Sequence, residues 1–336
     1  MINMNLRTTF NIEPSPKRIT YDERIMFIGS CFASSIGSQL ELGKMTVMIN
    51  PAGTVYNPVS VCNTLDIITS GKEFRKGDLH YHDGMWLSFS HYTDFSSEDP
   101  DKTLERINSK LKEASLFLKN SGFLFITLGT ARIYRWKKTG QVVSNCHKIP
   151  SAEFSHELLT VSEIVDLWAQ QLDRLSTLYP NLRVVFTISP VRHLKDGAHG
   201  NQVSKSALFL AVEELLSHPS APQYFPAYEL LMDDLRDYRF YDDDMIHPSD
   251  SAINYIWEAF SRCYLDDSAI KIWNDALKIT KARDHRFNTD SISRKREFAR
   301  KMLSHIADIE TRVPSIDLSD EKSYFSALLS DQILND

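Results

Sequence analysis

The stretch RIMFIGSCFA, residues 24–33, constrains the fold of this chain more than any other feature. A short apolar run at 25–28 ends at Gly29, and a segment with helical character follows from Phe32. An apolar run bounded by turn residues is typical of a buried parallel strand. In open α/β sheets the carboxyl end of such a strand, where the chain passes to a helix, holds the chemistry. We therefore expect the functional site at this junction.

Ser30 and Cys31 stand at the junction, near the expected N-terminus of the helix. Unpaired N–H groups and the helix dipole stabilise an anion there, so we expect a thiol beside a histidine to have a lowered pKa. Cys31 is the better nucleophile on these grounds. Two alternatives stay open: Ser30 attacks instead, or neither does, with Cys31 packed as a small apolar residue and Ser30 capping the helix.

Strand-like and helix-like segments alternate along the chain, which predicts a parallel sheet covered by helices on both faces. We expect one α/β domain over residues 1–281, with an irregular insertion at about 70–100, and a helical extension with a polar tail over 282–336. Predicted strands are 24–29, 47–49, 123–128, 133–136 and 182–188, with a weak strand or turn at 224–230. Predicted helices are about 33–42, 58–69, 101–120, 161–178, 202–217, 250–264, 266–281 and 291–311.

The composition of the chain argues against several classes of protein function. A net charge of -6 over 336 residues argues against a nucleic-acid partner, which requires a basic face. No apolar run approaches the roughly 20 residues that span a bilayer, and the first residues lack the apolar core of a signal peptide. The four cysteines show no CxxC spacing, so we expect reduced thiols in a cytoplasmic protein. His80, His82, Asp83 and His91 suggest a metal site, but no carboxylate-rich or cysteine-rich set of partners accompanies them, so we expect no metal. We also expect no cofactor.

The loop FYDDDMIHPSD at 240–250 carries the second candidate group. Asp244 stands three residues before His247, a spacing that lets the carboxylate fix the imidazole tautomer and leaves the other ring nitrogen for a nucleophile. The alternative is an exposed acidic loop with an incidental histidine. Arg192 and His193 follow the predicted strand 182–188, so we expect both in the crevice, where Arg192 would hold a carboxylate or phosphate. A structural ion pair is the alternative for Arg192.

Five motifs together resemble the GSCFA-domain family, which is placed in the SGNH/GDSL hydrolase superfamily. They are GSCFA at 29–33, LGTARIY at 128–134, NCHK at 145–148, SPVRH at 189–193 and DDMIHPS at 243–249. The resemblance covers roughly residues 20–265. It implies a three-layer α/β/α, flavodoxin-like (SGNH hydrolase-like) parallel sheet. From the residues themselves we expect His147 and Lys148 to line the same rim of the site as Arg192 and His193.

The resemblance also implies roles for individual residues. Cys31 falls at the nucleophile of the superfamily's first block, and Asp244 with His247 match its last block. Gly53 matches the glycine whose N–H joins the Cys31 amide in an oxyanion hole. The third block, Gly-x-Asn, falls on Gly129–Ala131 and lacks the asparagine. The oxyanion residues implied are therefore Cys31 and Gly53, with Thr130 or Asn57 in place of the missing amide.

The function expected from these residues is that of an esterase or acyl hydrolase acting through Cys31 or Ser30, His247 and Asp244. The substrate would be a small-molecule or carbohydrate ester, with an O-acylated carbohydrate as the class suggested by the resemblance. Two alternatives are an O-acyltransferase on the same scaffold and a catalytically inactive carbohydrate-binding module. The sequence does not specify an oligomeric state.

Overall fold

The computed structural model describes residues 7–284 and 291–330. The strands are β1 (Arg24–Gly29), β2 (Val47–Ile49), β3 (His80–His82), β4 (Met85–Leu87), β5 (Ser121–Leu128), β6 (Arg132–Trp136), β7 (Val142–Val143), β8 (Phe154–Leu158), β9 (Arg183–Ile188) and β10 (Gln223–Tyr224). The helices are α1 (Cys31–Leu42), α2 (Pro58–Ser70), α3 (Pro100–Lys119), α4 (Val161–Leu178), α5 (Gly197–Leu215), α6 (Ala227–Glu229), α7 (Asp250–Tyr264), α8 (Asp267–Arg283), α9 (Ile292–Arg312) and α10 (Ser319–Leu329). No helix in these ranges is long and apolar enough to cross a membrane.

The main sheet has five strands in the order β10-β9-β5-β1-β2. Pairing is parallel between β1 and β5, between β5 and β9, and between β9 and β10. Since the chain goes from β1 to β2 on one side and then returns to β5 on the other, the order is that of flavodoxin-like sheets. A crevice opens beside β1 and β5 in this topology, at the carboxyl ends of the strands. The predicted fold class is confirmed.

The core of the sheet follows from its sequence of apolar runs. All eight residues of β5 are buried, as expected for a central strand covered on both faces. Phe27 of β1 stacks on Phe125 of β5 with ring centroids 4.8 Å apart. Met26 and Ile28, on alternate positions of β1, join the core cluster that includes Trp168 of α4. This burial holds the carboxyl ends of the strands in register, with Gly29 of β1 opposite Thr127 of β5.

The irregular insertion expected at about 70–100 contains an antiparallel hairpin of β3 and β4. A separate three-stranded sheet has the order β7-β6-β8. Helix α2 begins as predicted, because the Asn57 side chain accepts a hydrogen bond from Ser60 N at 2.8 Å and Pro58 occupies the first turn. The weak strand or turn expected at 224–230 is instead the short β10 followed by α6, which continues as a π-helical turn over Leu230–Leu235.

By its contacts the chain divides into two compact units. The first comprises the chain up to Ile12, Arg24–Ile36 and Met48–Ile256, and the second comprises Glu13–Glu23, Gly37–Val47 and the chain from Trp257 onward. The boundary expected between 281 and 282 stays a prediction, and residues 285–290 and 331–336 of the expected extension and tail lie outside the described residues. All candidate site residues belong to the first unit.

The second unit contains a helix where we expected a polar tail. Helix α10 buries Phe325 and Leu328, and the fully buried carboxylate of Glu321 pairs with Lys44 at 2.7 Å and with Arg283 at 3.2 Å. Apolar residues spaced three apart on a short polar helix give a weak pattern, so packing rather than intrinsic propensity determines this helix.

Candidate active site

The turn after β1 has the tight geometry expected of a site. Gly29 has φ 150°, and a Cβ at this position would lie 2.2 Å from the carbonyl oxygen of Thr127. Its N–H donates to Asn50 Oδ1 at 2.8 Å, and the next amide, of Ser30, donates to Thr127 O at 3.1 Å. Only glycine fits here, and α1 begins two residues later, at Cys31. The carboxyl end of β1 is therefore followed almost directly by the N-terminus of α1.

The two candidate nucleophiles differ in their surroundings. Ser30 is 1% exposed, and its Oγ forms no hydrogen bond within residues 7–284 and 291–330. The hydroxyl therefore does not cap α1, which removes that alternative role. Cys31 is only partly buried, and the backbone N–H groups of Phe32 and of Cys31 itself favour its thiolate. Access and amide dipoles thus both favour Cys31.

The expectation of a lowered pKa at Cys31 is wrong. Burial is the largest influence and raises the pKa of this thiol, and the charge of Asp244 acts in the same direction. The amides of Phe32 and Cys31 and the charge of Lys205 oppose this but do not outweigh it. Since the thiol form dominates at neutral pH, Cys31 needs a base to become a nucleophile.

The acidic loop forms the expected carboxylate–imidazole pair. Asp244 Oδ2 lies 2.6 Å from His247 Nδ1. The other oxygen of Asp244 accepts N–H groups from Ile246 at 2.8 Å and from His247 at 2.9 Å. These bonds, the backbone N–H of His247 first, lower the pKa of Asp244 to about 2. A carboxylate that accepts from Nδ1–H leaves the Nε2 of His247 as the basic nitrogen.

Electrostatic effects relate this loop to the turn after β1. The charge of Asp244 contributes to the pKa of Cys31, and the charge of His247 contributes to that of His193. No hydrogen bond joins His247 to Ser30 or Cys31 in the described part of the chain. The His247–Asp244 pair is formed, while the contact from the imidazole to the nucleophile is not. Such contacts are often long in ligand-free enzymes and tighten on binding.

The oxyanion donors implied by the resemblance have other partners. The Gly53 N–H donates to Asn50 O at 2.7 Å, so in this conformation the expectation for Gly53 is not met. Thr130 Oγ1 forms a hydrogen bond with Ser204 Oγ at 2.9 Å and accepts one from the Arg132 N–H at 3.1 Å, so it too already has partners.

Two other expected donors remain available. Asn57 uses its Oδ1 to cap α2, and its Nδ2 donates to no described residue. The amide of Cys31, at the first position of α1, keeps its expected place at a helix N-terminus.

His193 lies beside the turn, as expected. A Cβ built on Gly129 would be 3.2 Å from His193 Nε2 and 3.5 Å from Ser30 Cβ, so the imidazole and the serine both flank this glycine. The Tyr56 ring meets the His193 ring edge-on at 5.5 Å. Burial, followed by the charge of Lys205, lowers the pKa of His193 to about 4. His193 is therefore neutral at pH 7.

His147 lies in a different environment. It is buried, its Nε2 lies 2.9 Å from the carbonyl oxygen of Ser88, and its ring centroid is 6.4 Å from that of Phe89. Burial is the main cause of its lowered pKa. Its contacts are with the insertion and none is with Cys31 or His247 in the described residues. His147 at the rim of the site therefore stays a prediction without a supporting contact.

Lys205 is a residue that the sequence analysis missed. It has no exposed surface, and its Nζ donates to the carbonyl oxygen of Ser189, just after β9, at 2.5 Å. Burial, followed by the charge of Arg192, lowers the pKa of Lys205 to about 7, and the charge of Cys31 acts in the opposite direction. One signal could have revealed it, since Lys205 falls on the stripe of buried residues that runs along α5. The other buried members are Asn201, Ser204, Leu208, Ala211, Val212 and Leu215.

No group of three or more potential metal ligands lies together within the described residues. A cavity of about 710 Å³ lies between α2 and α3 and is lined by Ile67, Lys72 and Glu105 among others. None of the candidate site residues lines it. The candidate catalytic groups therefore do not lie in this cavity.

These features define a class: a three-layer α/β protein whose sheet order is flavodoxin-like, with a thiol at the carboxyl end of β1 and a carboxylate–imidazole pair in a later loop. The chain belongs to the GSCFA family, whose model matches residues 24–260. No curated protein matches it. Among solved structures it is similar to "a putative GDSL-like lipase from Parabacteroides merdae ATCC 43184", with 12% identity, a TM-score of 0.37, and coverage of 75% of this chain and 98% of that one.

Proposed function

We propose that this protein is an esterase or acyl hydrolase in which Cys31 attacks, His247 is the base and Asp244 orients it. The observation that carries the proposal is the 2.6 Å contact between His247 Nδ1 and Asp244 Oδ2. The charge of Asp244 also affects the pKa of Cys31. A hydrogen-bonded carboxylate–imidazole pair near a thiol at a helix N-terminus is the arrangement that nucleophilic acyl transfer requires.

The reaction runs in two halves. The Cys31 sulfur attacks the ester carbonyl carbon while His247 Nε2 accepts the thiol proton. The carbon–oxygen bond to the alcohol then breaks, and the imidazolium returns the proton to the leaving oxygen. Water, deprotonated by the same imidazole, hydrolyses the thioester and restores the thiol. Asp244 keeps the proton on Nδ1 and stabilises the imidazolium in both halves.

Cys31 is preferred to Ser30 because its side chain is accessible and the Phe32 amide supports its anion. The hydroxyl of Ser30 is enclosed and forms no hydrogen bond with a base among the described residues. The Cys31 amide is one oxyanion donor, and Asn57 Nδ2 is the candidate for a second. A hole with fewer donors makes a slower enzyme, since loss of one donor costs roughly a hundredfold or more in kcat.

A second candidate function is that of an inactive carbohydrate-binding module. One observation favours it: the Gly53 amide and the Thr130 hydroxyl, two expected oxyanion donors, are hydrogen-bonded to other groups of the protein. The substrate of the active protein is proposed to be an ester, with an O-acylated carbohydrate as the first class to examine. An O-acyltransferase would use the same first half-reaction and an alcohol in place of water.

Turnover of p-nitrophenyl acetate by the wild type, Cys31→Ala, Ser30→Ala and His247→Ala tests the proposal. We expect loss of activity in Cys31→Ala and His247→Ala and retention in Ser30→Ala. Equal rates in all four proteins would refute the assignment. Addition of an alcohol acceptor then separates transfer from hydrolysis, because a transferase forms the new ester faster than free acid.

A further inference from the structure

Two of the oxyanion donors implied by the resemblance already have partners within the protein. They are the Gly53 amide and the Thr130 hydroxyl, and the asparagine of the third block is replaced by Ala131. Stabilising a developing oxyanion requires hydrogen-bond donors that are in place before the reaction. A donor from outside the superfamily pattern would therefore restore part of the stabilisation that these groups do not supply.

His193 lies at the carboxyl edge of the main sheet, shortly after β9. Its backbone N–H donates to Asn201 Oδ1 at 2.9 Å, and Asn201 is a buried residue of α5. Its ring meets the Tyr56 ring edge-on at 5.5 Å. The backbone and the ring of His193 are thus both held by neighbouring elements.

The imidazole of His193 lies beside the turn that follows β1. The position that a Cβ on Gly129 would occupy is 3.2 Å from His193 Nε2 and 3.5 Å from Ser30 Cβ. A side chain at Gly129 would therefore contact both groups, and glycine leaves room beside each of them. The amide nitrogen of Cys31 is bonded covalently to the carbonyl carbon of Ser30. Nε2 and the Cys31 amide therefore lie at the same turn.

The ring of His193 is able to donate a hydrogen bond to a ligand. Neither of its nitrogens is hydrogen-bonded to a residue of 7–284 or 291–330, and the side chain is partly exposed. Burial, followed by the charge of Lys205, lowers the pKa of His193 to about 4, so the ring is neutral at pH 7 and carries one N–H. A neutral imidazole in a fixed position is an effective donor to an oxyanion.

We propose that the Nε2–H of His193 is an oxyanion donor in the acyl-transfer reaction, together with the amide of Cys31. When the Cys31 sulfur bonds to the ester carbonyl carbon, the π electron pair moves onto the carbonyl oxygen. Nε2–H then donates a hydrogen bond to that oxygen and keeps its proton. When the carbonyl double bond forms again, the alcohol oxygen leaves with its bonding pair and takes a proton from the imidazolium of His247. The inference deepens the proposed function and rests on it.

Two substitutions of similar length separate the N–H donor from the rest of the side chain. His193→Gln retains an N–H near the position of Nε2, and His193→Met does not. For p-nitrophenyl acetate, His193→Met should lower kcat by roughly a hundredfold with little change in KM, and His193→Gln should recover about tenfold or more of that loss. His199→Met is the control, because it removes an exposed imidazole of α5 that makes no contact with the turn among the described residues. It should retain full activity.

Two reactions of Cys31 distinguish an oxyanion donor from a residue that acts on the thiol. Iodoacetamide alkylates the sulfur by displacement at carbon and forms no oxyanion, so its rate at Cys31 should be the same in the wild type and all three variants. Trifluoroacetone adds to the sulfur and forms a tetrahedral oxyanion, which fluorine NMR detects. This adduct should be about tenfold or more weaker in His193→Met than in His193→Gln, as expected for the loss of a charge-assisted hydrogen bond.

The donor role is refuted if His193→Met hydrolyses the ester as fast as the wild type, or if alkylation of Cys31 slows in parallel with turnover. It is also refuted if His193→Gln is no better than His193→Met in both assays. His193→Phe keeps a ring against Tyr56 and should behave as His193→Met, so it replaces that variant if His193→Met does not fold. A wild type that neither hydrolyses the ester nor forms the adduct would refute the proposed function itself. Turnover by the wild type without loss in His193→Met would refute only the role of His193.

Discussion

Asp244 Oδ2 and His247 Nδ1 lie 2.6 Å apart in an exposed loop, with the other carboxylate oxygen held by two backbone amides. Three hydrogen bonds therefore fix the orientation of a carboxylate that water would otherwise leave free. An ordinary exposed carboxylate is not held by so many hydrogen bonds. The contact with Nδ1 also sets the tautomer of His247. The loop thus presents Nε2 as a base in one direction.

The first prediction concerns this pair. Asp244→Asn and His247→Ala should lower kcat for p-nitrophenyl acetate by roughly a hundredfold or more, because the base is misoriented or absent. Asp243→Asn is the matched control, because it removes a neighbouring exposed carboxylate that forms no hydrogen bond or ion pair with His247 in the described structure. This variant should retain activity. Equal losses in Asp243→Asn and Asp244→Asn would mean that the loop charge matters and not the hydrogen bond.

The second prediction concerns the thiol. Because burial raises the pKa of Cys31, its alkylation by iodoacetamide at pH 7.5 should be slower than that of N-acetylcysteine and should increase with pH beyond the ordinary thiol range. Asp244→Asn removes a charge that opposes the thiolate, so it should speed alkylation by roughly twofold, the effect of a partly solvated charge. Peptide mapping by mass spectrometry follows Cys31 separately from Cys146. Faster alkylation of Cys31 than of the free thiol would contradict the burial argument.

The third prediction concerns the turn. Gly29→Ala should destabilise the protein by about 3 kcal/mol or more, because a Cβ would clash with Thr127 O and φ 150° is strained for alanine. Gly77→Ala is the control, since a Cβ there meets nothing within 4 Å, and its effect should stay within about 0.5 kcal/mol. Urea unfolding measures both. Similar stabilities for the two variants would show that the turn relaxes.

Much of the fold was predictable because the signals are local. Gly29 marks the end of the apolar run of β1, and Asn57–Pro58 marks the start of α2. Both predicted boundaries are confirmed. Helix α10 was missed because its stability depends on packing of Phe325 and Leu328 within the second unit, which a single short segment does not reveal. The sequence pattern predicts helices and strands whose boundaries depend on local residues, and it misses those that depend on packing against other elements.

The site divides in the same way. Asp244 and His247 are three residues apart, so their contact was predictable from spacing alone. Lys205, by contrast, is completely buried, although lysine side chains are normally exposed. The engagement of the Gly53 amide depends on the backbone of Asn50, which has φ 44°. Neither property follows from the residue type alone, and the one sequence signal for Lys205 is its position on the buried stripe of α5.

The last prediction concerns pH and His91, which is 1% exposed and lies between the rings of Phe74 and Phe95. Burial lowers the pKa of His91 from 6.5 to about 3. The unfolded chain therefore binds a proton that the folded chain does not, and stability is lost as the pH falls below 6.5. At pH 5 this loss amounts to about 2 kcal/mol relative to pH 7.

His91→Phe removes the titrating group and should reduce the loss of unfolding free energy between pH 7 and pH 5 by about that 2 kcal/mol. Ser88→Ala is the matched control, because it removes the Oγ that lies 2.9 Å from His91 Nδ1 but leaves the buried imidazole. The control should be less stable at both pH values and keep the wild-type difference between them. Urea titrations at the two pH values provide the measurement. An unchanged difference in His91→Phe would show that another group is responsible, and His193, with its pKa lowered to about 4, would be the next to replace.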